Sequence, residues 1–187
     1  IKGGEMKTIT YSKNVFIPLT TVCCNNCTYC QFKEPLSKSS IISLSEIELI
    51  LKQAKQAGCK EVLFTCGSQP KKVIGFTDKL KRETGFDSLF NLLLAACQKS
   101  LEIGLLPHSN LGVISKPKLK KLARYNASLG LMLETTARVK PHTNSPTKQP
   151  NVRQKLIKTA GQIKIPFTSG LLLGIGESRQ DRIDSLM

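Results

Sequence analysis

Apolar and polar positions along the chain alternate between two kinds of spacing. Short apolar, partly β-branched runs come first: Val15-Phe16-Ile17 with Leu19 predicts a strand that Pro18 brings to its end. Glu61 to Cys66, Leu105 to Asn110, Leu129 to Glu134 and Ile165 to Leu173 predict four more strands. Between these runs the apolar residues recur at helical spacing. Ser43 and Glu46 form a capping box ahead of Ile47, Ile50, Leu51, Ala54 and Ala57, and Gly58 closes that helix. A second helix is expected from about Asp87 to Ile103, stopped by Gly104. Further helices are expected after Ser115, over Asn151 to Ala160, and from Asp181 to the last residue, Met187. Pro141 to Pro150 is polar, holds three prolines and reads as a loop.

Strand followed by helix, repeated along the chain, predicts an α/β fold with a parallel sheet, because each crossover returns the chain to the same end. Right-handed crossovers roll such a sheet into a barrel or part of one. Five βα units at roughly 30–40 residues each predict a partial parallel (βα) barrel. One domain over residues 1–187 is expected, and the abrupt end suggests a fragment, since a closed barrel needs at least one further unit. The polar residues collect after the strand C-terminal ends: Cys23 to Cys30, Gly67-Ser68, His108-Ser109-Asn110, Glu134 and Gly174 to Glu177. In parallel α/β folds sites are built at that edge.

Composition narrows the classes. Hydrophobic residues make up 40%, which suits a packed core. No apolar run approaches the roughly 20 residues of a membrane-spanning helix, so no membrane partner is expected. The net charge is +15, from 28 Lys and Arg against 13 Asp and Glu. The lysines are spread along the chain and the sequence has no Trp, which favours solvated faces over a nucleic-acid surface. Seven cysteines, an odd number, fit a reducing compartment such as cytoplasm better than a disulfide scaffold. Cys59, Cys66 and Cys97 lie in apolar surroundings where free Cys acts as a core residue.

Thr20 to Gln31 reads T-T-V-C-C-N-N-C-T-Y-C-Q, in which Cys23, Cys27 and Cys30 have the spacing C-x3-C-x2-C. Three thiolates hold either zinc or an iron–sulfur cluster. Structural zinc wants a fourth ligand; Cys24 adjoins Cys23, and His108 and His142 are distant in sequence. Shifting the register to Cys24 turns the spacing into C-x2-C-x2-C, which is the live alternative. The motif alone leaves these readings open, a zinc-stabilised basic RNA-binding module among them.

The C-x3-C-x2-C loop, with Tyr29 before its last cysteine and a first barrel strand ahead of it, resembles the radical S-adenosylmethionine superfamily. The stretches N-V-F-I-P-L-T, L-F-T-C-G-S-Q-P, G-L-L-P-H-S-N-L-G, N-A-S-L-G-L-M-L-E and I-P-F-T-S-G-L-L-L-G-I-G-E resemble its deazaflavin-forming branch. The resemblance covers essentially the whole chain. It implies a 4Fe-4S cluster held by Cys23, Cys27 and Cys30, with one iron open to S-adenosylmethionine. It implies reductive cleavage of that cofactor to a 5′-deoxyadenosyl radical, which takes hydrogen from substrate. The branch implies a lyase of coenzyme F-420 biosynthesis, acting on a tyrosine-derived adduct and releasing ammonia. The runner-up is a radical enzyme for another substrate, similar to those of the menaquinone pathway. An external electron donor and a sister subunit making the adduct are the implied partners.

Residue by residue, the resemblance puts Tyr29, Gly67, Ser68, Glu134, Gly174 and Ile175 around S-adenosylmethionine. Tyr29 is expected on the adenine. Ser68 stands where the superfamily commonly has a carboxylate for the methionine ammonium. Glu134 is expected at a ribose hydroxyl or that ammonium; its alternative is an ion pair with Arg138 or Lys140. His108 and Asn110 are expected to face substrate.

Overall fold

The computed structural model describes residues 9–187. Residues 1–8, counted in the expected domain, lie outside the described residues. Among these described residues, five strands form one parallel sheet in chain order: β1 (Asn14–Pro18), β2 (Glu61–Thr65), β3 (Leu106–Asn110), β4 (Ser128–Gly130) and β5 (Phe167–Thr168). Helices α1 (Leu44–Gln56), α2 (Phe76–Thr84), α3 (Leu89–Ile103), α4 (Lys116–Leu122), α5 (Pro150–Gln162) and α6 (Arg179–Leu186) separate and follow them. The expected partial barrel is therefore present, as an open run of parallel strands.

The sheet's two faces follow the period of two. Ile17, Val62, Phe64, Ser109 and Leu129 are buried on the helix side, where they meet Ile47, Leu51, Leu92, Leu93 and Cys97. The opposite face carries a row set by register, Phe16, Leu63, His108 and Ser128, and it is more open: Phe16 is 53% exposed. Pro18 is tolerated at its edge position. The Leu19 N–H donates to the Thr65 carbonyl at 2.8 Å, so the missing N–H of Pro18 points away from β2.

The capping box at Ser43 and Glu46 forms as expected, and Gly104 ends α3 at φ 80°. Helix α2 has only Phe76 and Leu80 buried, too few apolar positions to mark a helix in the sequence; Gly75 and Gly85, both left-handed, bound it. β4 and β5 are shorter than their apolar runs. Pairing resumes beyond them, where Glu134 N–H donates to Gly170 O at 2.9 Å and Leu172 N–H to Glu134 O at 2.9 Å. The expected loop from Pro141 to Pro150 is partly ordered into two 3-10 turns, Lys140–His142 and Pro146–Lys148; His142, Ser145 and Thr147 within it are buried, as is Val139 just ahead of it.

Candidate active site

The cysteine loop leaves β1 and is tied at its base. Thr20 bridges Ile41, and the Ile42 N–H donates to Leu19 O at 3.2 Å. Cys23, Cys24, Cys27 and Cys30 are free thiols, all half-buried. Cys23 Sγ accepts N–H bonds from Asn25 (3.4 Å) and Ser68 (3.2 Å). Cys27 Sγ lies 3.2 Å from Ser145 Oγ, and the Cys30 N–H closes a turn onto Cys27 O at 3.1 Å. Burial first, then the adjacent Cys23, holds the Cys24 thiol above its ordinary value.

Gly67-Ser68 leaves β2 directly beneath this loop. A Cβ on Gly67 would lie 2.0 Å from the Val22 carbonyl oxygen, so the crossing requires glycine. The Ser68 backbone closes it from both sides, donating to Cys23 Sγ and accepting the Cys24 N–H at 2.9 Å. The Ser68 hydroxyl, 2.8 Å from Thr147 Oγ1, is engaged within the protein.

Residues 139–149 fold back as a strap over the loop. Asn26 N–H donates to Asn144 O at 3.1 Å and to Ser145 Oγ at 3.1 Å. Asn25 and Thr147 exchange two bonds, Nδ2 to Oγ1 at 2.6 Å and N–H to Oδ1 at 3.3 Å. Tyr29 packs edge-on against His142, with its hydroxyl 2.8 Å from Nε2. Burial raises the Tyr29 phenol and lowers the His142 imidazole, so both stay neutral near pH 7. His142, distant in sequence, thus meets the cysteine loop through Tyr29; its buried Nδ1 has no partner among the described residues.

Glu134 ends the β4 segment at φ 70°, in the left-handed region, with its side chain 10% exposed. Its carboxylate pairs with Lys148 and lies 3.6 Å from Arg153 Nη1. The ion-pair partners are therefore Lys148 and Arg153, in place of Arg138 or Lys140. Arg153 is itself buried, on the α5 face it shares with Leu156 and Ala160. It donates from Nε to Thr147 O at 3.0 Å and from Nη1 to Met132 O. An arginine in an apolar helical stripe was the sequence signal for this cation. Asn25, Ser145, Thr147 and Lys148 carried no such signal, because their roles depend on the strap.

The remaining expected residues have other partners. Gly174 and Ile175 donate their N–H groups to the Glu177 carboxylate at 2.9 and 2.8 Å, which hold it at about pKa 2. Their amides are thus occupied within the protein. His108 Nδ1 lies 2.6 Å from Ser128 Oγ, and burial lowers its imidazole against the opposing pull of Glu61. Gly130 makes room for it, since a Cβ there would lie 2.8 Å from His108 Nε2. The Asn110 carbonyl accepts the Thr65 hydroxyl at 3.1 Å. Hydrogen bonds and ion pairs thus join the cysteine loop, Ser68 and Glu134 through Thr147 and Arg153. His108, Asn110, Gly174 and Ile175 stand outside that network.

The donor set fits a cluster of thiolate-bound irons. The thiols are unpaired, and backbone amides point at Cys23 sulfur. Burial pushes the Arg153 guanidinium below its ordinary value, opposed first by the charge on Glu134. Among the described residues, no three His, Cys, Asp or Glu side chains converge as ligands of one metal ion. A cube of irons presents separate corners and asks for no such convergence.

Comparison with known proteins gives the same direction. Residues 17–187 match the family described as the Radical SAM superfamily. A relative from Methanoregula boonei, named 7,8-didemethyl-8-hydroxy-5-deazariboflavin synthase, is 47% identical over 183 residues, covering 98% of this chain and 55% of the relative. The chain thus spans about half the length of the curated relatives it matches. Among solved structures, methylornithine synthase superposes with a TM-score of 0.68 at 23% identity, covering 94% of this chain and 49% of that one. A maturase of the FeFe-hydrogenase superposes at 0.70 and 17% identity, covering 92% and 38%. At these identities the two structures speak for the fold.

Proposed function

This chain belongs to the radical SAM superfamily, and we propose that it is the cluster-bearing part of a 7,8-didemethyl-8-hydroxy-5-deazariboflavin synthase. The observation that carries the reading is the free C-x3-C-x2-C loop at the strand ends, backed by near-complete coverage of this chain by synthases of that name. A 4Fe-4S cluster with S-adenosylmethionine supplies, when bound, one-electron cleavage of a sulfonium and hydrogen abstraction from substrate.

Cys23, Cys27 and Cys30 hold the cluster in this reading, and Cys24 does not. Gly67 lets the β2 exit pass under the loop, and Ser68 fixes it through backbone bonds to Cys23 and Cys24. The Ser68 hydroxyl faces Thr147, so the carboxylate for the methionine ammonium is better supplied by Glu134, which exchanges Lys148 for the ligand. Tyr29 presents a neutral ring, which is suited to packing against adenine. The carbonyls around Gly174 and Ile175 serve the nucleoside, their amides being bonded to Glu177. On the open sheet face, neutral His108 holds an acceptor or donor toward substrate, and Asn110 lies two residues further on the same face, at the end of β3.

The substrate in this reading is the tyrosine-derived 5-amino-5-(4-hydroxybenzyl)-6-(ribitylimino)uracil adduct, closed to the deazaflavin with loss of ammonia. An external electron donor and a sister subunit making the adduct are the partners. The cytoplasm is the compartment, and residues 1–187 act as one domain. Among the described residues, no helix is long and apolar enough to cross a membrane.

The test is anaerobic purification followed by reduction with S-adenosylmethionine and the adduct. Iron and sulfide bound in cluster ratio, release of 5′-deoxyadenosine and growth of deazaflavin fluorescence are the expected results. Stoichiometric zinc without iron would end the cluster reading. Cofactor cleavage with no deazaflavin would move the substrate elsewhere.

A further inference from the structure

Ser145 is a fully buried hydroxyl on the strap, 0% exposed, and 118 residues separate it from the cysteine it touches. Its Oγ has two neighbours, the Asn26 N–H at 3.1 Å and Cys27 Sγ at 3.2 Å. An amide only donates, so Oγ accepts there and its single hydrogen is left for the sulfur. The Ser145 backbone is fixed as well, since its N–H donates to His142 O at 3.0 Å. Asn144 O takes the Asn26 N–H as a second acceptor, which locks the strap to the loop at this point.

The two sulfurs are served differently. Cys23 receives its hydrogen bonds from the backbone amides of Asn25 and Ser68, which no substitution removes without moving the chain. Cys27 is served by side chains, Ser145 Oγ at 3.2 Å and the nearby Tyr29 hydroxyl, which also bonds His142. A hydrogen bond to a ligating sulfur draws charge from it and makes the added electron less costly, so it raises a cluster's potential.

We propose that Ser145 is a positioning residue that raises the reduction potential of the cluster by donating a hydrogen bond to the Cys27 thiolate. This rests on the reading of Cys27 as a ligand given above. The hydroxyl acts through sulfur and touches neither substrate nor S-adenosylmethionine. Its effect is a tuned electron acceptance by the cluster, one step before any chemistry on the cofactor.

The test compares the reconstituted chain with Ser145→Ala and Ser145→Thr. Three readouts are taken: iron and sulfide content, the midpoint of a potentiometric titration followed by electron paramagnetic resonance, and the coupling of an exchangeable deuteron to the reduced cluster. Ser145→Ala should load iron, shift to a more negative midpoint and lose that deuteron. At the wild-type midpoint its reduced-to-oxidised ratio should fall roughly fivefold, the effect of one hydrogen bond. Ser145→Thr keeps the hydroxyl and should keep both the midpoint and the deuteron. An unchanged midpoint in Ser145→Ala overturns the proposal, as does a Ser145→Thr variant that shifts equally or loads no iron while the wild type does. Should Ser145→Ala alone fail to load, the Ser145→Thr midpoint and deuteron decide. Iron retained at full stoichiometry in Cys27→Ala would instead bring down the ligand reading itself.

Discussion

Gly67 and Val22 approach so closely that a single added carbon would stand 2.0 Å from the Val22 carbonyl oxygen and 2.7 Å from Cys23 Cβ. The first cysteine is thus held in place by what lies under it. Gly67→Ala should push the loop away from β2 and break the Ser68 N–H bond to Cys23. Overpacking of this kind costs about 1–3 kcal/mol, and here it falls on backbone, which gives little. A lower melting temperature together with an iron-to-protein ratio well below wild type is expected. A normal iron ratio would show that the loop tolerates the shift.

Cys27→Ala should abolish cluster binding while Cys24→Ala leaves it, because burial and the neighbouring Cys23 disfavour a thiolate at Cys24. Iron and sulfide analysis after anaerobic reconstitution reads this directly. Equal loss in both variants would move the register by one residue.

Glu134 balances two cations, Lys148 and Arg153, in surroundings where all three side chains are at most 16% exposed. Glu134→Ala leaves them facing each other without a counter-charge, and should lower the unfolding free energy by about 3 kcal/mol. Glu134→Gly removes the same carboxylate but relaxes the backbone at φ 70°. It should therefore be more stable than the alanine variant by about 1 kcal/mol. Urea titrations of the three proteins test both the ion pair and the strain. In each variant S-adenosylmethionine should bind more weakly, by calorimetry.

His108 carries a depressed imidazole in the folded protein, caused first by burial and opposed by Glu61. Its unfolded counterpart titrates near the ordinary value of about 6.5. Between that value and the lower folded one the unfolded chain binds more protons, so stability rises with pH through this window. Acidification from pH 7 should lower the urea midpoint, and His108→Gln should flatten the slope. His142, lowered by burial and Lys148, keeps a residual slope in the variant. An equal slope in both proteins would place the proton uptake away from His108.

The order of strands and helices was legible because each is announced locally. Ser43 and Glu46 cap α1, and the apolar runs of β1 to β3 keep their lengths in the folded chain to within about one residue. Helix α2 was not legible, since only Phe76 and Leu80 face the core. The last two strands read too long, because Glu134 turns into the left-handed region and interrupts regular pairing. Of the site, the cysteine spacing and Gly67-Ser68 could be read directly; Arg153 was missed, although a charge beside Leu156 and Ala160 at helical spacing could have pointed to it. The strap read as a polar loop, although His142, Ser145 and Thr147 are buried.

The sequence by itself determined the period of each element, the C-x3-C-x2-C loop after the first strand, and the parallel sheet that alternating strands and helices require. These depend on propensities and spacings a few residues long. Only the tertiary structure decided that Ser145 reaches Cys27, that Thr147 links Ser68 to Asn25, and that Lys148 and Arg153 answer Glu134. Such contacts join residues up to 122 positions apart. They are fixed by how crossovers pack the strand ends together, and by the need of most buried polar groups for a partner, which no local stretch of sequence records.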